Sequence, residues 1–247
     1  MQPSVLQPPE SFAARDVQTT TFTLHTEQKL TDPTAAVKIY IEGDGHAFDH
    51  LGRPTDDPTP RSDFMRRAAF GDASPNVVYM GRPCQYVHDT HCTPADWTSA
   101  RFSKRAVDAT ADAIAQIANG LPPEAGRCSG RPTILIGFSG GAQIAGLVAV
   151  LHPELNVKKI ITISGNLDHP AWTRLKNLAP LDGSLDLNSY RAAFARIPQL
   201  HYVGDADPVI PADLTIRFVN DPSRIVIVPS AGHGTGFDAV FSQIWAE

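Results

Sequence analysis

Apolar and polar residues recur along this chain in two rhythms, and each change of rhythm marks an element. Short apolar runs fall at residues 36–42 (AVKIYIE), 76–80 (NVVYM), 133–137 (TILIG), 159–164 (KIITIS), 199–203 (QLHYV) and 224–228 (RIVIV). Runs that short and that apolar belong to strands covered on both faces. Residues 17–26 (VQTTTFTLHT) differ, because threonines alternate with apolar residues as in one strand with an exposed face. Between the runs lie segments with apolar residues every three or four positions. The longest predicts a helix over 97–121, with Val107, Ala111, Ile114, Ile117 and Ala118 on one stripe and Gly120 and Pro122 ending it. Residues 61–69, 142–151 and 236–245 read as shorter helices. Strands alternating with helices require βαβ crossovers, so the pattern predicts an α/β fold: a mostly parallel sheet with helices on both faces.

Other stretches fit neither rhythm. Residues 1–14 are rich in Pro and Gln and read as a flexible lead-in to a single domain over 15–247. Residues 50–60 form a proline-punctuated loop whose Asp56 and Asp57 could line a site. Residues 167–188 are a candidate cap segment. Its Trp172 and Leu175 suit either an acyl pocket or packing of the cap on the body.

Composition narrows the function classes. Of 247 residues, 42% are apolar and 19% charged, ordinary globular usage that needs no metal or disulfide to hold a core. Lys plus Arg number 21 against 26 Asp plus Glu, for a net charge of −5. With no basic run, neither nucleic acid nor an anionic membrane is an expected partner. The longest apolar stretch, 145–151, falls far short of the ~20 residues of a membrane span. Residues 1–14 also lack the basic region and apolar stretch of a signal peptide.

The candidate chemistry centres on Gly137-Phe138-Ser139-Gly140-Gly141. An apolar strand runs into it and a small-residue helix runs out, the strand–turn–helix of a nucleophile elbow. Side chains at 137 and 141 would clash at so sharp a turn, so Gly137 and Gly141 are sterically required. The helix start adds a field favourable to a developing oxyanion. A Gly-rich turn with a capping serine would share the residues without these flanking elements. A serine hydroxyl is a weak nucleophile and needs a base oriented by an acid. Residues 204–211 (GDADPVIP) follow one strand and offer Asp205 or Asp207; residues 230–234 (SAGHG) follow the last and offer His233.

These three segments resemble the α/β-hydrolase superfamily of serine esterases, lipases and related acyl hydrolases, which implies an α/β-hydrolase fold. The acid of that superfamily lies three residues after a strand-ending glycine and just before a Val-Pro-like step. That selects Asp207 over Asp205, leaving Asp205 as a loop-stabilising carboxylate, and His233 matches the late histidine. The loop after an early strand supplies the second oxyanion donor. Here it is Glu42-Gly43-Asp44-Gly45, with Glu42 where the superfamily usually carries a histidine. By position the resemblance implies the N–H groups of Asp44 and Gly140 as donors, with Gly43 and Gly45 shaping the turn. The Asp44 carboxylate would oppose an oxyanion, so it is expected to point away or to pair with Arg53, Arg82 or Arg101. The run YIEGDG, with 82–87 (RPCQYV), 97–102 (WTSARF), 166–168 (NLD) and 171–174 (AWTR), is similar to a group of bacterial α/β hydrolases. That similarity spans most of 36–240 and brings no substrate with it.

The expected function is therefore hydrolysis of an acyl bond in a small molecule, a carboxylic ester by default, through Ser139, His233 and Asp207 and an acyl-enzyme, without a cofactor. An amidase, peptidase or thioesterase on the same residues is the alternative within enzymes, and a binding protein that kept the fold is the alternative outside them. His46 and His50, near Asp44 and Asp49, follow a glycine turn and lack a third ligand at standard spacing, so no metal is expected.

Cys84 and Cys92 flank a polar loop where free thiols would be exposed to oxidation. A bridge between them closes a loop worth roughly 2.5 kcal/mol. It leaves Cys128 as an odd third cysteine. A disulfide predicts the periplasm or the cell exterior, with an export leader removed; the alternative is a cytoplasmic protein with unpaired thiols.

Overall fold

The computed structural model of the chain describes residues 6–120 and 130–247. Along the chain run β1 (Ala13–Gln18), β2 (Thr23–Leu30), β3 (Val37–Ile41), α1 (Phe64–Phe70), β4 (Asn76–Met80), α2 (Pro94–Trp97), α3 (Lys104–Asn119) and β5 (Thr133–Phe138). They continue as α4 (Gly140–Leu151), β6 (Val157–Ile163), α5 (His169–Leu175), α6 (Arg191–Phe194), β7 (Gln199–Gly204), α7 (Ala212–Val219), β8 (Ile225–Val228) and α8 (Phe241–Trp245). The eight strands form one sheet in the order β1-β2-β4-β3-β5-β6-β7-β8. The pairs from β4 through β8 are parallel, and β1 and β2 add an antiparallel edge. This is the α/β-hydrolase fold.

Alternate residues of the central strands feed two cores, one on each face of the sheet. Ile39 and Ile41 of β3 join Leu135, Val107, Ile114, Ile144 and Val148 under α3 and α4. Tyr40, between them, joins Ile136, Ile161, Phe64 and Ile244 under α1 and α8. Burial on both sides explains why these strands read as unbroken apolar runs.

Four expectations need correction. Residues 17–26 are not one strand: a turn at 19–22, where the Thr19 hydroxyl bonds the Phe22 backbone, separates β1 from β2. The helix expected over 97–121 is confined to α3, because α2 ends at Trp97, where the expected helix begins. Arg101 and Phe102 leave the helical path and turn inward, and Ser103 restarts it by accepting the Ala106 N–H. Its proposed end at Pro122 lies outside the described residues, as does Cys128. Residues 236–245 begin with left-handed Gly236 (φ 80°), pass through a 3-10 turn at Asp238–Val240 and become α-helical as α8 only from Phe241. Helix α7 has no counterpart among the expected elements, because the prolines and aspartates around it read as loop.

The lead-in is docked over its described part. Leu6 N–H donates to Asp63, buried Phe12 packs edge-on against Phe70 at 4.8 Å, and β1 begins at Ala13. Cys84 and Cys92 are joined in a disulfide with Cα atoms 5.7 Å apart. Among the described residues no helix is long and apolar enough to cross a membrane.

Candidate active site

Strand β5 ends in Phe138, and the next residue, Ser139, sits at φ 50°, ψ −120° before α4 begins. Such a backbone costs a non-glycine residue about 1–3 kcal/mol and persists only where its surroundings fix it. Here Ser139 N–H donates to Ile163 C=O (3.1 Å), and Ser139 C=O accepts the N–H of Asn166 (2.9 Å). A Cβ on Gly137 would lie 2.6 Å from the Ala142 backbone, and one on Gly141 would run into the carbonyls of Ile41 and Glu42. Both glycines are thus required by close approach.

The loops after β7 and β8 meet at this turn. His233 Nε2 lies 3.1 Å from Ser139 Oγ, and His233 Nδ1 lies 2.9 Å from Asp207 Oδ2. A carboxylate at Nδ1 fixes the N–H there, which leaves Nε2 free to accept the serine proton. The other Asp207 oxygen accepts the N–H groups of Val209 (2.8 Å) and Ile210 (3.0 Å). Burial pushes the Asp207 pKa up, but the His233 hydrogen bond and charge and the two backbone N–H groups bring it below the ordinary carboxylate value. Asp205 instead accepts the Ser230 N–H (2.6 Å), tying the two loops together, and does not touch His233. Phe138 packs against the imidazole at 5.0 Å.

On the other flank of Ser139 lies the loop after β3. Among the described residues, no acceptor takes the N–H of Asp44 or that of Gly140, the first residue of α4. The Asp44 carboxylate, whose approach leaves no room for a Cβ on Gly140, is held by Arg82 (3.1 Å) and Arg101 (2.5 Å). Burial raises its pKa, yet Arg101 and Arg82 outweigh that and set it below the ordinary value. Arg53, the third partner considered, pairs with Asp49 instead. Gly43 packs on Phe138, and Gly45 turns the chain away at φ 64°.

Glu42 was expected only as a departure from a motif, but it proves to be a structural acid. One oxygen accepts the Gly43 N–H (2.9 Å) and the other the Tyr79 hydroxyl (2.9 Å). Burial raises its pKa to about 7. Gln85 also has a place that no sequence motif assigned: its Nε2 donates to Gly43 C=O at 3.0 Å. These contacts join residues 37 to 42 positions apart, so nothing local in the sequence announces them.

A cavity of about 320 Å³ opens over Ser139 and His233, walled by Phe48, Phe64, Phe138, Trp172, Val209 and Ile210. Trp172 of α5 donates to Val209 C=O (2.9 Å), pinning the 167–188 segment to the Asp207 loop. Leu175 points to solvent, 59% exposed, and Asp56 and Asp57 are exposed and do not line this cavity. Among the described residues no three His, Cys, Asp or Glu side chains converge as metal ligands.

Residues 81–235, well over half of the chain, match the serine hydrolase (FSH1) family. The chain belongs to that family. The matched span contains Ser139, Asp207 and His233 and leaves out the loop after β3, so this serine hydrolase carries its β3 loop outside the family's matched region. No curated protein matches it in sequence. Among solved structures it is similar to an esterase from Pyrococcus furiosus (14% identity, TM-score 0.61, 99% of this chain and 94% of that one). It is likewise similar to the esterase domain of a Rhodothermus marinus protein (15%, TM-score 0.60, 95% and 96%). A third is an α/β serine hydrolase without a lid from Xanthomonas campestris (17%, TM-score 0.54, 96% and 92%). At these identities the likeness is one of fold.

Proposed function

We propose that this serine hydrolase cleaves small carboxylic esters through an acyl-enzyme on Ser139. The observation that carries the reading is the continuous relay from Asp207 through His233 to Ser139 Oγ, and the N–H groups of Asp44 and Gly140, which have no acceptor among the described residues, support it. Ser139 Oγ attacks the acyl carbonyl while His233 Nε2 takes its proton. Asp207 holds the Nδ1 tautomer and stabilises the imidazolium. The N–H groups of Asp44 and Gly140 receive the tetrahedral oxyanion. Collapse expels the alcohol, which takes the proton back from His233. Water, deprotonated by His233, then releases the acid. The single domain over 15–247 carries α5 as a short cap, with Trp172 as one wall of the acyl site. The disulfide favours an oxidising compartment, the periplasm or cell exterior.

The apolar side of the cavity, formed by Phe48, Phe138, Trp172 and Val209, suits the acyl group of an ester. A panel of p-nitrophenyl esters of rising acyl length, run beside matched thioesters and p-nitroanilide peptides, tests this. Esters are expected to give the highest kcat/KM; a peptide or thioester that exceeds every ester contradicts it.

A further inference from the structure

Building on the proposed oxyanion donors, we propose that Gln85 is a positioning residue that aims the Asp44 N–H at the reacting carbonyl. In a trans peptide the C=O and N–H point in opposite directions, so fixing one fixes the other. The Gly43–Asp44 peptide is gripped by its oxygen: Gln85 Nε2 donates to Gly43 C=O at 3.0 Å. The Asp44 N–H is therefore turned to the opposite side, and it has no acceptor among the described residues. Without that grip the same peptide could rotate, bringing its carbonyl oxygen towards the site and its N–H away.

Gln85 is itself held. Its Oε1 accepts the Arg82 N–H at 2.9 Å, its N–H donates to Arg82 C=O at 3.1 Å, and it is 2% exposed. The residues on either side, Cys84 and Tyr86, both adopt left-handed backbone (φ 69° and 64°). Each is tied down in turn, Cys84 by the disulfide to Cys92 and Tyr86 by its N–H to Thr59 Oγ1 at 2.7 Å. From the same loop, Arg82 holds the Asp44 carboxylate at 3.1 Å. The loop thus grips both sides of the donor, the carbonyl before it and the side chain after it.

Gln85→Leu and Gln85→Glu test the assignment in the full-length protein. Leucine removes the donor to Gly43 without adding charge, and ionised glutamate keeps the shape and the acceptor for the Arg82 N–H but sets a negative charge against the Gly43 carbonyl. Both variants are expected to lower kcat on p-nitrophenyl acetate by about 10- to 100-fold, with KM within about 2-fold. The inhibition constant of phenylboronic acid, which forms a tetrahedral adduct on the serine, is expected to rise by the same factor. Folded variants that keep kcat overturn the proposal, as do variants that lose kcat while binding the boronate unchanged. Failure of both to fold also overturns it, because Gln85 would then hold the domain rather than the donor. A wild-type protein that hydrolyses no ester and binds no boronate removes the proposed function and this inference together. An active wild type with indifferent Gln85 variants removes this inference alone.

Discussion

On the acid–base flank of Ser139 the acid is oriented by its own loop. Asp207 is oriented by N–H groups two and three residues on, and Asp205 bonds across to the next loop at Ser230. The oxyanion flank is assembled from far away: Tyr79, Arg82, Gln85 and Arg101 converge on Glu42, Gly43 and Asp44. The first flank spends backbone donors that a loop must satisfy anyway. The second buries ionised and polar side chains, each of which needs its partner to offset desolvation. Changes on the acid–base flank should therefore show in rate and little in stability, while changes on the oxyanion flank should show in both.

The largest effect that sharpens this contrast is on the acid. Asp207→Asn is expected to lower kcat by about 10⁴, with the melting temperature little changed. Asp205→Asn, which loosens a loop tie, is expected to cost less than about 10-fold. Steady-state kinetics on a p-nitrophenyl ester decides, and reversed magnitudes would move the acid to Asp205.

On the opposite flank, Arg101→Met leaves half-buried Asp44 with Arg82 alone. Urea denaturation is expected to show a loss of about 3 kcal/mol, accompanied by a lower kcat. Arg53→Met, which removes an exposed partner of Asp49, should leave both within error. If the two variants behave alike, the Asp44 ion pairs do not hold this flank.

Glu42 gives a pH signature. Its folded pKa of about 7 lies above its ordinary 4.5, so the folded state keeps the proton that the unfolded state releases. That contribution is fully present below pH 4.5 and is lost as pH rises through 7. Glu42→Gln removes the loss, so the variant should gain about 3 kcal/mol on the wild type between pH 4 and pH 8. A difference that stays flat with pH would mean that Glu42 is ionised in the fold.

The smallest effect is that of the disulfide. A Cys84→Ser/Cys92→Ser double variant is expected to lose roughly 2.5 kcal/mol in urea denaturation. In the unfolded, unreduced wild type, one thiol should react, that of Cys128; three would show that no bridge forms.

What the sequence reveals follows the same division. The strands from β3 to β7 are legible because burial on both faces leaves a continuous apolar signature, whereas β8 reads as apolar although it lies at the sheet edge with Ile227 exposed. The elbow, Asp207 and His233 are legible because steric and short-range requirements write themselves into adjacent residues. Arg101 shows the opposite case. Its stretch reads as the start of a helix, yet residues 98–103 are non-helical and Arg101 pairs with Asp44, 57 positions away. Gln85 and Tyr79 leave no local trace, since a buried amide or hydroxyl looks like any polar or aromatic residue until its distant partner is placed. The turn at Thr19 is hidden differently: threonine suits a strand by propensity, and the hydroxyl of Thr19 joins its backbone N–H in bonding Phe22 to turn the chain.

Covalent capture tests the central claim, that Ser139 is the nucleophile, most directly. Wild-type protein treated with a fluorophosphonate should gain one phosphonyl group per chain, mapped by peptide mass spectrometry to Ser139. Ser139→Ala should stay unlabelled with an unchanged melting temperature. Label on another residue, or equal labelling of the Ser139→Ala variant, would contradict the account.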